Sequence, residues 1–138
     1  MVVYLDTGVF ITAWRSREDE SSRVFSIFED PSLILLASDL VRLETLPKAT
    51  YNKRHDEVRF YNGLSSLVHH WIPIENSHLK RAIDLGCFHD IVNMDALHIA
   101  AAESARVDRF ITSESTNKPL FRAKQVNPTN LLDLSQSE

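Results

Sequence analysis

The strongest constraint on the fold is a set of short apolar runs that do not alternate. "VVYL" (2–5), "SLILLAS" (32–38) and "RFITS" (109–113) place apolar or β-branched residues on both parities, as strands covered on both faces do. "WIPI" (71–74) is a shorter candidate that Pro73 restricts to an edge, and "AKQVN" (123–127) is a candidate fifth. Between them lie stretches of helical spacing. "TGVFITAW" starts a helix, and "SREDESSRVFSIFED" is amphipathic with Val24, Phe25 and Phe28 on one side. The 38–70 region predicts two helices, through Leu40, Leu43 and Leu46 and then Val58, Tyr61, Leu64 and Leu67, punctuated by Pro47. "NSHLKRAIDLGCF" clusters Leu79, Ala82, Ile83 and Leu85 with Gly86 as a stop, and "NMDALHIAAAESARV" is a strong helix former. Strands alternating with helices specify a parallel α/β sheet of four to five strands. Right-handed crossovers bring the strand ends to one edge.

The 138 residues, 43% of them hydrophobic, suffice for one core. One domain is expected over 1–134, with a frayed tail at 135–138. No apolar run approaches the roughly 20 residues that span a membrane, so a cytoplasmic protein is expected. The single cysteine, Cys87, excludes an internal disulfide and a Cys-based zinc cluster, and is expected to be a small buried residue. A net charge of −4 argues against coating nucleic acid through bulk positive charge.

Four acids stand in apolar surroundings. Asp6 ends the first run ("YLDTG"), Glu44 lies in the helix after the second ("VRLETL"), Asp95 opens the alanine-rich helix ("VNMDAL") and Glu114 follows the fourth run ("FITSES"). Taken singly, each has a local explanation: an Asx-turn for Asp6, helix capping for Asp95, a surface glutamate for Glu44, a loop acid for Glu114. Taken together they suit a site at the carboxyl edge of the sheet. An isolated carboxylate near a core costs several kcal/mol unless paired or metal-bound. Hard oxygen donors without a Cys or His quartet suit Mg²⁺ or Mn²⁺, and such ions serve phosphodiester hydrolysis. An aspartyl-phosphate phosphatase would want a second acid at position 8, which is Gly8.

The order "VVYLDTGVF", "SDLVRLET", "NMDALHIAAA", "FITSES" resembles the PIN-domain nucleases, most closely the VapC-like toxin ribonucleases of bacterial toxin–antitoxin modules. The resemblance implies a three-layer α/β/α fold and a Mg²⁺- or Mn²⁺-dependent endoribonuclease. It also implies a homodimer and an inhibitory antitoxin partner. Carried over residue by residue, Asp6, Glu44 and Asp95 match the acidic triad. Glu114 stands where the family usually has an aspartate. The resemblance makes Thr7 and Thr112 partners that orient the acids. His98, on the same helix face as Asp95, reads as a packed, hydrogen-bonded histidine.

Basic residues gather at Arg42, Lys48, Lys53, Arg54 and Arg59, and at Lys118, Arg122 and Lys124 after Glu114. The second group suits contact with RNA phosphates, with Tyr51 or Phe121 available for stacking. Both groups also suit an ordinary solvated surface. A PIN-like module that binds RNA or protein without cutting is the alternative, with Glu114 as its support.

Overall fold

The computed structural model describes residues 1–18 and 23–134. The expected tail at 135–138 and part of the 16–30 amphipathic stretch fall outside the described residues. Five strands, β1 (Val2–Leu5), β2 (Ile34–Ser38), β3 (His70–Ile72), β4 (Arg109–Thr112) and β5 (Pro128–Asn130), form one sheet in the order β3-β2-β1-β4-β5. Every pairing is parallel. The described helices are α1 (Thr7–Arg15), α2 (Arg23–Glu29), α3 (Asp39–Tyr51), α4 (His55–Ser65), α5 (Asn76–His89) and α6 (Asn93–Ser104).

The period-two geometry of the strands divides the core into two layers. Val3, Leu5, Leu35, Ala37 and Ile111 point to one face, where they pack with residues of α1 to α4. Tyr4, Leu36 and Phe110 point to the other, against α5 and α6. The result is a three-layer α/β/α sandwich. From β1 the chain winds outward to β2 and β3, then returns across the sheet to β4 on the other side of β1. The strand order therefore reverses between β1 and β4, and the crevice at their carboxyl ends is where an open α/β sheet binds ligands.

Several boundaries differ from expectation. The fifth strand is Pro128–Asn130, and "AKQVN" supplies a 3₁₀ turn over Lys124–Val126. A three-residue edge strand needs no apolar run of its own, and Pro at its first position gives up no interior ladder bond. Pro47 does not break its helix: α3 runs to Tyr51. The bond Pro47 cannot donate would have gone to the carbonyl of Leu43, an exposed residue where water replaces it. Gly86 does not end α5 either. The helix continues to His89 and stops at Asp90, whose left-handed backbone (φ 57°) returns its N–H to the Gly86 carbonyl. On α5, Ala82 and Leu85 are buried, whereas Leu79 and Ile83 are exposed, so the expected cluster is only half covered. Cys87, expected inside, is exposed on the same helix. No described helix is long and apolar enough to cross a membrane.

Candidate active site

Asp6 follows β1 and serves α1 as N-cap, its Oδ1 accepting the Thr7 N–H at 2.8 Å. Both local and site roles thus fall on one carboxylate. Its Oδ2 accepts the hydroxyl of Thr112, the last residue of β4, at 3.0 Å. The same Thr112 oxygen accepts the backbone N–H of Glu114 at 3.1 Å, which turns the chain after β4 back over the strand ends. Asn130, the last residue of β5, donates to the Glu114 carbonyl at 2.9 Å and braces that loop. Gly8 lets it lie close: a Cβ there would stand 2.1 Å from the Ser113 hydroxyl.

Glu44 comes from α3 and Asp95 from the first turn of α6. Glu44 Oε1 accepts the Thr7 hydroxyl at 2.7 Å and lies 2.6 Å from His98 Nε2. The imidazole is 1% exposed, and its Nε2 also lies 3.6 Å from Asp6. Its other nitrogen lies 2.6 Å from the hydroxyl of Tyr4, which lies 2.8 Å from that of Ser38. Nε2 faces a carboxylate and therefore carries a proton. A consistent set of donors then runs from Ser38 through Tyr4 and His98 to Glu44. One histidine thus joins β1, β2, α3 and α6 at the site.

The electrostatics record the convergence of the acids. Burial pushes the Asp95 carboxyl up to about 6, and the charges of Asp6, Glu114 and Glu44 push in the same direction. Burial also raises Asp6, against the pull of His98, Thr112 and the Thr7 N–H. Glu44 goes the other way: burial opposes its charge, but the bonds from His98 and Thr7 prevail and hold it below the usual carboxylate range. Burial drives the Tyr4 hydroxyl far above its ordinary value, so it remains a donor.

Excess negative charge therefore gathers at one sheet edge, with oxygen donors only. Among the described residues, no three Asp, Glu, His or Cys side chains stand close enough to enclose one cation. The residues fit an ion held by one or two carboxylates and otherwise by water, as Mg²⁺ commonly is, and not an all-protein cage.

The expected site residues divide accordingly. Asp6, Thr7, Glu44 and Thr112 are linked by hydrogen bonds, and Asp95 and Glu114 join them electrostatically. Lys118, Arg122 and Lys124 have no described contact with the acids, and Arg122 donates to the His89 carbonyl at 2.8 Å on the α5 side. Phe121 is partly buried against the core, whereas Tyr51 is 86% exposed. His98 is packed as its spacing suggested, but its bond to Glu44 was not foreseen, nor was the link through Tyr4. A tyrosine inside a buried strand needs a partner for its hydroxyl, and that was the available signal.

A three-layer parallel sheet with carboxylates at its switch point is an arrangement that several classes of hydrolase share. The PIN domain's sequence profile matches residues 3–116, and the chain belongs to this nuclease family. Similar solved structures include VapBC2 from Rickettsia felis bound to a DNA fragment from its promoter. That match has a TM-score of 0.76 at 15% identity, over 94% of this chain and 98% of that one. A DNA-bound VapBC from Salmonella typhimurium aligns with TM-score 0.69 at 12% identity, over 95% and 98% of the two chains. A toxin–antitoxin complex from Klebsiella pneumoniae gives 0.65 at 23% identity, over 83% and 88%. No curated protein matches the chain by sequence. At these identities the structural likeness speaks for the fold alone.

Proposed function

We propose that the protein is a Mg²⁺- or Mn²⁺-dependent endoribonuclease, the toxin of a two-protein toxin–antitoxin module, acting in the cytoplasm. The observation that carries this reading is the convergence of Asp6, Glu44, Asp95 and Glu114 at one sheet edge, where burial first and then the neighbouring charges raise the Asp95 carboxyl. Like charges gathered at a ligand-binding sheet edge have a use when a cation joins them. Bound there, a divalent ion supplies a nucleophile from water at neutral pH and stabilises charge on the phosphate.

The chain's own residues would share the work as follows. Asp6 and Asp95 would hold the ion. Glu44 offers Oε2, since Thr7 and His98 occupy Oε1. Glu114 would complete the acidic set, its backbone held by Thr112 and Asn130. Thr7 and Thr112 fix the carboxylates of Glu44 and Asp6 in orientation. Lys118, Arg122 and Lys124 would meet the RNA backbone along the rim beyond Glu114, with Arg122 the least free of them.

The solved relatives described above are toxin–antitoxin complexes, which supports an antitoxin partner here. A homodimer is supported by an apolar face on α5 and the following turn, where Leu79, Ile83, Phe88 and Val92 are all about half exposed or more. The open spacing of the acids favours one other reading, a PIN module that binds RNA without cutting it.

Cleavage of a labelled RNA pool by the purified protein in Mn²⁺, Mg²⁺ or EDTA separates them. Metal-dependent cutting that vanishes in Asp6→Asn establishes the nuclease. Glu114→Gln then shows whether the fourth acid takes part. Binding without cutting in every metal selects the non-cleaving module.

A further inference from the structure

On the layer that carries α1, α3 and α4, a cavity of about 280 Å³ opens between the three helices, and Glu44 forms part of its wall. One of the four acids therefore lines a groove beside the site. Arg15 from the end of α1, Lys48 one turn after Glu44 on α3, and Arg54 before α4 line the same cavity. A second cavity of about 530 Å³ shares Trp14, Arg54 and Glu57 with the first and extends it past Lys53 to Arg59. The two cavities adjoin at these shared residues.

The groove's charges are unequally satisfied. Arg54 lies 3.6 Å from Glu57, and Arg59 is paired with Asp56 at 2.7 Å. Arg17 covers the Trp14 ring at 3.9 Å. Arg15, Lys48 and Lys53 have no carboxylate within 4.0 Å among the described residues. In a chain of net charge −4, cations left unpaired beside an acid site mark a place for an anion from outside.

We infer that this groove holds the single-stranded RNA segment flanking the bond to be cut, with one backbone phosphate on Arg15 and another on Lys48. The inference rests on the nuclease reading and adds the path of the substrate to it. A carboxylate-rich peptide fits less well, because its closely spaced charges would run along Glu57 and Glu44 in the same walls. A phosphodiester strand places sugars and bases between its charges. Asp6 is only 6% exposed and lines neither cavity, so the strand must bend past Glu44 to bring a phosphate to it. An unpaired strand does so without breaking base pairs.

The test uses the full chain and a short fluorescent single-stranded RNA. Affinity is read by anisotropy in EDTA across a salt series, and KM and kcat are read separately in Mn²⁺. The variants are Arg15→Glu with Lys48→Glu, the neutral pair Arg15→Gln with Lys48→Gln, and Lys80→Glu on the opposite layer. The charge-reversed pair should weaken binding by on the order of tenfold or more and lower the log–log salt slope by about 1.4, the share of two single-strand phosphate contacts. The neutral pair should show the same slope change, and Lys80→Glu neither effect. Where binding in EDTA is too weak to read, a raised KM at constant kcat supports the groove.

Unchanged affinity and KM in both pairs overturn it while leaving the nuclease reading intact. So does a loss confined to binding of an oligoglutamate peptide. A wild-type protein that neither binds RNA nor cuts it overturns both.

Discussion

The hydroxyl of Thr112 donates to the carboxylate of Asp6 at 3.0 Å across the carboxyl ends of β4 and β1. The two residues are 106 positions apart, yet they are neighbours because β1 and β4 pair in parallel at the point where the sheet reverses its order. Thr112 is fully buried and Asp6 nearly so. Thr112→Val keeps the shape and removes the donor. It leaves a buried carboxylate with one bond fewer, at a cost of about 1–3 kcal/mol. Urea unfolding of the two proteins measures this, and equal stability would show that the bond does not hold the acid.

A second consequence concerns pH. Asp95 titrates at about 6 in the folded protein against an ordinary value of 3.8, so between those values the folded state holds more protons than the unfolded one. Stability is therefore greatest at the acid end of that window, falls as pH rises through it, and stays reduced above it. Asp6, also raised, adds to the same trend. Glu44 has the opposite sign: its lowered value contributes stability that is fully present above its ordinary 4.5 and is lost as pH falls from there through its folded value, which leaves the trend between about pH 5 and about pH 7.5 to Asp95 and Asp6. In EDTA the urea midpoint should be higher at about pH 5 than at about pH 7.5, and Asp95→Asn should narrow the gap. Mn²⁺ should raise the midpoint at the higher pH and do little at the lower. A midpoint that climbs with pH in EDTA would mean that the acids do not repel one another.

Much of this arrangement was legible in the sequence, and the reason is hydrophobic patterning. Runs such as "VVYL" and "RFIT" have to be buried on both faces, so they fix β1 and β4, and with them the edge where Asp6 and Thr112 meet. The short strand β5 escaped because three residues at a sheet edge bury too little to leave a pattern. Pro47 and Gly86 misled for a common reason. Each is a local signal overridden by the packing of the helix that contains it, α3 on α4 and α5 on α6. The bond between His98 and Glu44 was hidden more deeply: spacing places His98 beside Asp95 on its helix, but only the fold brings α3 up to it.

Gly8 gives a test of how tightly the loop after β4 is seated. An added Cβ would lie 2.1 Å from the Ser113 hydroxyl and 3.2 Å from its Cβ. The hydroxyl can rotate away, but the Cβ contact persists. Gly8 is helical, so alanine there gains roughly 0.5–1 kcal/mol of helix propensity. The expected outcome is a small net change for Gly8→Ala alone and a clear gain once Ser113→Gly removes the obstacle. A double-mutant cycle should report coupling of about 0.5–3 kcal/mol between the two positions. Strict additivity would place the loop farther from α1.

The buried chain of donors ending on Glu44 makes the last prediction. Tyr4 lies between Ser38 and His98, with its ring stacked on Phe110 at 5.3 Å. Tyr4→Phe keeps that stacking and deletes one hydroxyl. The Nδ1 of His98 then loses its only described partner in a site closed to water, which costs about 1–3 kcal/mol. The effect should reach Glu44, since His98 is then held by one bond fewer and its grip on Oε1 loosens while Thr7 keeps its own bond. If Glu44 serves the reaction through its orientation, kcat for RNA cleavage should fall severalfold with KM changed far less, because Glu44 is the one member of this chain that lines the basic groove and Arg15 and Lys48 stay in place. His98→Asn should lower both stability and kcat further, as it removes the link itself. A Tyr4→Phe protein that is destabilised but cuts at the wild-type rate would show that the chain holds the fold together without setting the carboxylate for catalysis.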